Sequence, residues 1–176
     1  MTGPGRLVAI AALVAGAASC GYALAGRGNA LPTHIKSIGV PPFVNHSTVP
    51  EIDTVFTEAV RTEFQSRGRY LVQPDATGVD AVLTGIVVNA DRRALTFTAN
   101  NQASSYTITI TSNVEFKDLI DDKVLWANPS FRSSDEYQVS GPSTDVNALF
   151  TQVPNARERL AKKFAREVVS SIFEAF

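Results

Sequence analysis

The sequence predicts an α+β fold in which two amphipathic helices pack on one face of a four-stranded mixed β-sheet. Three observations carry this reading. Residues 106–118 alternate apolar and polar with period two, the mark of a strand with one buried face. Residues 52–64 and 160–173 repeat apolar side chains at spacings of three and four, as a helix with one buried stripe does. Extended apolar segments at 35–40 and 80–89 supply further strands, and no period of solenoid length interrupts the chain.

The N-terminus precedes that domain and has its own chemistry. Arg6 is followed by the apolar run Leu7 to Ala15, then by Gly16-Ala17-Ala18-Ser19 and Cys20-Gly21. The run has the length of a signal h-region and falls short of the roughly 20 residues a membrane span needs. Small residues ahead of the single cysteine resemble a bacterial lipobox, in which the signal is cut before a cysteine that takes the lipid. The expected organisation is a signal over 1–19, a lipid anchor at Cys20 with a Gly- and Pro-containing tether to residue 34, and one domain over 35–176. With Cys20 acylated no thiol remains for a disulfide, so the core alone must hold the domain together.

Within the domain, Ile35 to Val40 reads as the first strand, ended by Pro41-Pro42, which cannot donate ladder hydrogen bonds. Phe43 to Ser47 reads as a loop. Thr48 with Glu51 three residues on forms a capping box for the first helix, whose stripe is Ile52, Val55, Phe56, Ala59, Val60 and Phe64. Arg67-Gly68-Arg69 suits its end. Tyr70 to Val72 is a short extended segment, and Pro74 to Val79 a turn. Asp80 to Asn89 is apolar on both faces and reads as a central strand. Asp91 to Ser104 reads as a long polar loop. Tyr106 to Asp118 and Lys123 to Tyr137 form a hairpin about Asp121-Asp122, with an irregularity expected at Pro129. One helical turn is expected near 146–150, and Pro154 suits the first turn of the last helix, striped by Leu160, Ala161, Phe164, Ala165, Val168, Val169, Ile172 and Phe173.

The chemistry of an enzyme is missing from this pattern. The two histidines, His34 and His46, lie in no metal-ligand spacing, so no metal or other cofactor is expected. No phosphate loop or nucleophile elbow occurs. A net charge of −1 gives no bulk attraction to nucleic acid. The basic face Arg157 to Arg166 reads as a solvated helix surface with partners one turn away. Arg92 and Arg93, with Leu95 and Phe97 close behind, read as candidates for gripping phosphates beside acyl chains.

Several segments, taken in order, resemble one family. They are Cys20 to Leu24, Ile38-Gly39-Val40-Pro41-Pro42-Phe43-Val44-Asn45, the Glu63-Phe64 helix end with its Arg67 to Val72 exit, Asp80 to Ile86, the alternating strand to Asp118, and Val124-Leu125-Trp126. Together they resemble the LptE family of lipopolysaccharide-assembly lipoproteins. The resemblance implies a non-enzymatic outer-membrane lipoprotein on the periplasmic side, with two helices on a four-stranded sheet. It implies as partners the LptD β-barrel, which the protein plugs and helps assemble, lipopolysaccharide, and the membrane through the N-terminal lipid. The polar face Thr107, Thr109, Thr111 and Asn113 then has a use as barrel contact, because the lumens of outer-membrane barrels are polar. The first strand and helix also resemble lipoproteins of the curli-secretion and peptidoglycan-synthase-activator type, the alternative that the sequence leaves open.

Overall fold

A computed structural model describes residues 31–97, 99, 103–138, 145–153 and 155–176. Cys20, the apolar run before it and most of the tether lie outside the described residues, as do Asn100 to Gln102 and Pro154. The strands are β1 (Ser37–Gly39), β2 (Val44–Asn45), β3 (Leu71–Gln73), β4 (Ala81–Phe97), β5 (Ala103–Asp118) and β6 (Lys123–Gln138). The helices are α1 (Ile52–Ser66), α2 (Val146–Gln152) and α3 (Ala156–Glu174).

These strands form one mixed sheet of six, in the order β3-β1-β4-β5-β6 with β2 also on β4, rather than the four expected. Both additions come from short segments. The chain leaves β1 at Pro41-Pro42, whose missing amides break the ladder, and rejoins β4 in parallel at Val44↔Ile86. The segment after α1 pairs in parallel with β1 (Ile38↔Val72), so the short extended segment is a sheet edge.

A larger difference lies between Asp91 and Ser104. The expected loop is mostly strand: β4 runs on to Phe97 and pairs with β5 from Ala81↔Asp118 to Phe97↔Ala103. Polar composition concealed it, because this length of the hairpin has one wet face and supports its strands by ladder bonds. The irregularity at Pro129 is present. Ser112 pairs with Phe131 and Val114 with Asn128, leaving two residues of β6 opposite one of β5.

The start of α1 also departs from expectation. Thr48 does not cap it; Glu51 precedes the helix at φ 61° with no side-chain cap. The Asn45 side chain organises the turn instead. Its Nδ2 donates to the Val49 carbonyl at 2.8 Å, and its Oδ1 accepts from the Ser47 amide at 2.9 Å and hydroxyl at 2.7 Å. The asparagine amide carries its donor and its acceptor on separate atoms, so one side chain bonds Val49 and Ser47 together. At the other end Gly68 takes the left-handed conformation (φ 66°), as glycine allows. The short helix α2 begins at Asp145, whose carboxylate accepts from the Ala148 amide at 2.8 Å.

α1 and α3 cover one face of the sheet, and Phe164 is the centre of that contact. Its ring lies 4.6 Å from Phe56, 6.2 Å from Phe43 and 5.6 Å from Phe131, the last two edge-on. Gly85 makes room beneath: a Cβ there would come within 2.5 Å of the Phe43 ring. A second cluster joins Phe64 to Phe116 and Phe173, and Phe173 to Tyr70. Thr57 is buried but satisfied, accepting from the Phe43 amide at 2.9 Å and donating to the Asp53 carbonyl at 2.6 Å. That pair ties the segment after Pro42 to α1.

Phe164→Ala should lower unfolding free energy by about 3–5 kcal/mol, the usual cost of deleting a fully buried Phe, since this ring is 0% exposed. Chemical denaturation measures it, and a shift near zero would mean that α3 is not docked on the sheet.

Candidate functional site

The two groups of residues singled out in the sequence meet on the face of the sheet away from the helices. Directly opposed residues of antiparallel strands share a face. Thr107 lies between Arg93 of β4 and Glu136 of β6, Thr109 between Asp91 and Ser134, and Thr111 between Asn89 and Arg132. The three threonines are half-buried and both arginines exposed. Together with Asp91, Arg92 and Leu95 they line a concavity of about 590 Å³. Asn113 shares this face but stands further along, opposite Ile86.

The expected Arg92-Arg93 pair is separated. Both belong to β4, and successive strand residues point to opposite faces. Arg93 opposes Thr107 on the outer face, whereas Arg92 opposes Ile108 on the helix side, its guanidinium carbon 5.4 Å from the centroid of the Tyr106 ring. The two side chains therefore leave the strand in opposite directions, although both border the concavity. Leu95, the unpaired residue of a bulge between Ala94 and Thr96, lines the same concavity and is 45% exposed, so a cation beside an apolar edge survives.

Arg132 lines the same concavity from β6. Among the described residues neither Arg93 nor Arg132 has an ion-pair partner. Strand spacing and rise put their α-carbons about 16 Å apart along the diagonal of three strands. Sequence reasoning missed Arg132 because two register shifts in β6, at Leu125 and at Pro129, decide which residue of β5 it opposes, and neither partner is local in sequence.

The basic face of α3, expected to be solvated, is largely occupied by structural contacts. Arg157 reaches Glu51 at 3.7 Å and lies over Phe150; Arg159 reaches Asp135 at 3.2 Å and lies over Tyr137. Lys163 donates to the Ser134 carbonyl. Tyr137 donates to the Ala156 carbonyl at 2.9 Å, and burial pushes its phenol pKa up.

The fold also assembles a group that spacing concealed. His34, Asp118 and Asp121 bring one ligand-type atom each within 4.8 Å of the others. Sequence separation hid it, because His34 lies 84 residues from Asp118. His34 Nε2 is 2.5 Å from Asp118 Oδ2 and 4.0 Å from Asp121. The hydrogen bond to Asp118, then the nearby carboxylate charges, raise the His34 pKa. Burial opposes ionisation of Asp118, but the bonds from His34 and from the amides of Asp121 and Ile120 outweigh it and hold its carboxyl below the usual range. This group clasps the chain entering β1 to the end of β5.

The family model described as LptE, lipopolysaccharide-assembly, matches residues 35–175. The chain belongs to the LptE family. Of the two likenesses raised by the sequence, this is the one the match supports. The comparison with curated proteins returns no match. Among solved structures, the hypothetical protein CT253 from Chlamydia trachomatis aligns with TM-score 0.53 at 10% identity, covering 79% of this chain and 96% of that one. A Helicobacter pylori protein assigned as a neuraminyllactose-binding hemagglutinin homologue aligns with TM-score 0.51 at 12% identity, covering 78% and 86%. Both show the fold alone. Rare lipoprotein B from Shewanella oneidensis aligns with TM-score 0.43 at 17% identity, covering 75% and 90%. No helix among the described residues is long and apolar enough to cross a membrane.

The clasp has a pH signature. A histidine whose pKa is raised in the fold adds stability that is fully present below its unfolded value of 6.5 and is lost as pH rises through the higher folded value. The denaturation midpoint should therefore fall as pH rises above 6.5, and His34→Ala should flatten that slope. An unchanged slope would show that His34 is not clasped in solution. The lowered Asp118 works in the opposite range, its contribution vanishing as pH falls below 3.8 toward the folded value.

Proposed function

We propose that this chain is an outer-membrane lipoprotein, cut before Cys20 and acylated there, that seats its domain (residues 35–176) in the lumen of the LptD barrel. There it assists barrel assembly and helps pass lipopolysaccharide to the outer leaflet. The observation that carries this is the outer face of β4, β5 and β6: a polar surface with two guanidiniums that pair with no carboxylate among the described residues, in a family of lipopolysaccharide assembly. Barrel lumens are polar, so Thr107, Thr109, Thr111 and Asn113 suit such a wall. The 16 residues of β5 extend about 50 Å, comparable to the roughly 40–45 Å of a bilayer with its headgroups.

Within that face Arg93 and Arg132, rather than Arg92 and Arg93, are the residues proposed to hold the lipopolysaccharide head. Lipopolysaccharide carries separated anionic groups above its acyl chains. Two guanidiniums set apart along a diagonal match such groups one each, with Leu95 on the acyl side. Each makes charge-assisted hydrogen bonds that a lysine could not copy bidentately.

Two measurements test the reading. Replacing Arg93 and Arg132 with alanine should weaken binding of purified lipopolysaccharide by about ten- to a hundredfold for each guanidinium removed, and Arg92→Ala should matter less. Equal losses at all three positions would leave only diffuse charge attraction. Separately, Thr109→Glu sets a carboxylate beside Asp91. It should reduce co-purification of the barrel while leaving the denaturation curve in place. Undiminished capture would remove the sheet face from the contact.

A further inference from the structure

We propose that the end of the domain where the tether enters is a membrane-contact surface, seated on the bilayer that holds the chain's own acyl group. The proposal rests on the reading that Cys20 is lipidated.

One end of the sheet collects the starts and ends of five strands. Leu71 pairs with Ser37, Ile38 with Ala81, Ala81 with Asp118 and Asp118 with Lys123, so β3, β1, β4, β5 and β6 all meet there. The tether arrives at the same end. The Leu31 amide donates to the Tyr70 hydroxyl at 3.3 Å, one residue from Leu71, and His34 clasps Asp118, one residue from Leu119.

Exposed apolar side chains concentrate at this place. Of the eight large hydrophobics exposed among the described residues, four lie here: Leu71 at 63%, Ile120 at 57%, Val124 at 45% and Leu119 at 39%. Leu119 and Ile120 form the projecting turn between β5 and β6. They are held out by their backbone: the Leu119 amide donates to the Asp80 carbonyl at 2.8 Å and the Ile120 amide to Asp118 at 2.9 Å. A fixed turn presents apolar tips without first having to order itself.

The charges at this end suit a lipid surface. The carboxylates each have a cationic or amide partner, Asp118 and Asp121 in His34, Asp122 in Lys117 and Asp80 in the amides of Lys36 and Ser37, although Asp121 and Asp122 stay exposed. Lys36, Arg69 and Lys123 remain exposed around the apolar tips. Apolar side chains ringed by lysine and arginine match the boundary between acyl chains and headgroups.

Distance selects the bilayer as occupant. Cys20 to Ala30 is 11 residues, and a chain of that length spans at most about 40 Å. An acyl group at Cys20 is therefore confined near this end, while the opposite tips of β4 and β5 lie a whole strand length away. Confinement makes the contact intramolecular, so a patch too small to bind membranes alone suffices.

The test uses the mature full-length chain in vesicles of phosphatidylethanolamine and phosphatidylglycerol. Intact mass comes first: an unacylated Cys20 would overturn the lipidation reading and this proposal together. On acylated protein no native thiol remains, so Ile120→Cys and Phe97→Cys each carry one environment-sensitive fluorophore. Position 120 should be quenched several-fold more than position 97 by lipids with a quencher on the acyl chain, and Leu119→Asp should reduce that quenching. Equal quenching at both positions, or none at 120 on acylated protein, would overturn the contact. So would shielding of position 120 that needs added barrel protein, which would make the surface a protein interface.

Discussion

Tyr106, Ile108, Ile110, Val114 and Phe116 all leave one side of β5, and none can be left in water without forfeiting the burial on which a disulfide-free domain depends. The rest of the structure answers that demand. β4 and β6 satisfy the ladder on both edges, and α1 and α3 close over the apolar face with Phe164 at their meeting point. A strand of this length cannot be covered by one helix. The second cluster around Phe64 and Phe173 extends cover toward the tether end, and α2 does so toward the other.

The same alternation makes a functional surface on the reverse side. Every residue sent inward by period two commits its neighbours outward, so the Thr107, Thr109 and Thr111 row follows from burying Ile108 and Ile110. Among the described residues no carboxylate pairs with Arg93 or Arg132 on that row. The basic residues of α3 differ in this respect, since Arg157, Arg159 and Lys163 are drawn into contacts with Glu51, Asp135 and the Ser134 carbonyl. The long hairpin also separates two kinds of end. One carries the tether, the His34 clasp and an apolar turn; the other carries Leu95 and Phe97. A domain polarised along its strands suits a protein proposed to stand across a membrane's thickness from a fixed anchor.

Amphipathic period alone determined both long helices, the buried and wet faces of β5, the turn at Asp121-Asp122 and the short helix before α3, because each is written in neighbours a few residues apart. The signal-like run before Cys20 is legible for the same reason and lies outside the described residues. Tertiary structure decided what depends on partners distant in sequence. β2 and β3 are strands only because β4 and β1 offer them ladder bonds. The polar stretch after Asp91 is strand only because β5 lies beside it. Asn45 rather than Thr48 organises the turn before α1, because its amide bonds Ser47 and Val49 at once. The site shows the division most plainly. Thr107, Thr109 and Thr111 were readable, but strand geometry parted Arg92 from Arg93, and two register shifts in β6 set Arg132 opposite Thr111. Local sequence states which residues can share a face. Which strands lie side by side, and in what register, is settled only by the free energy of the whole sheet.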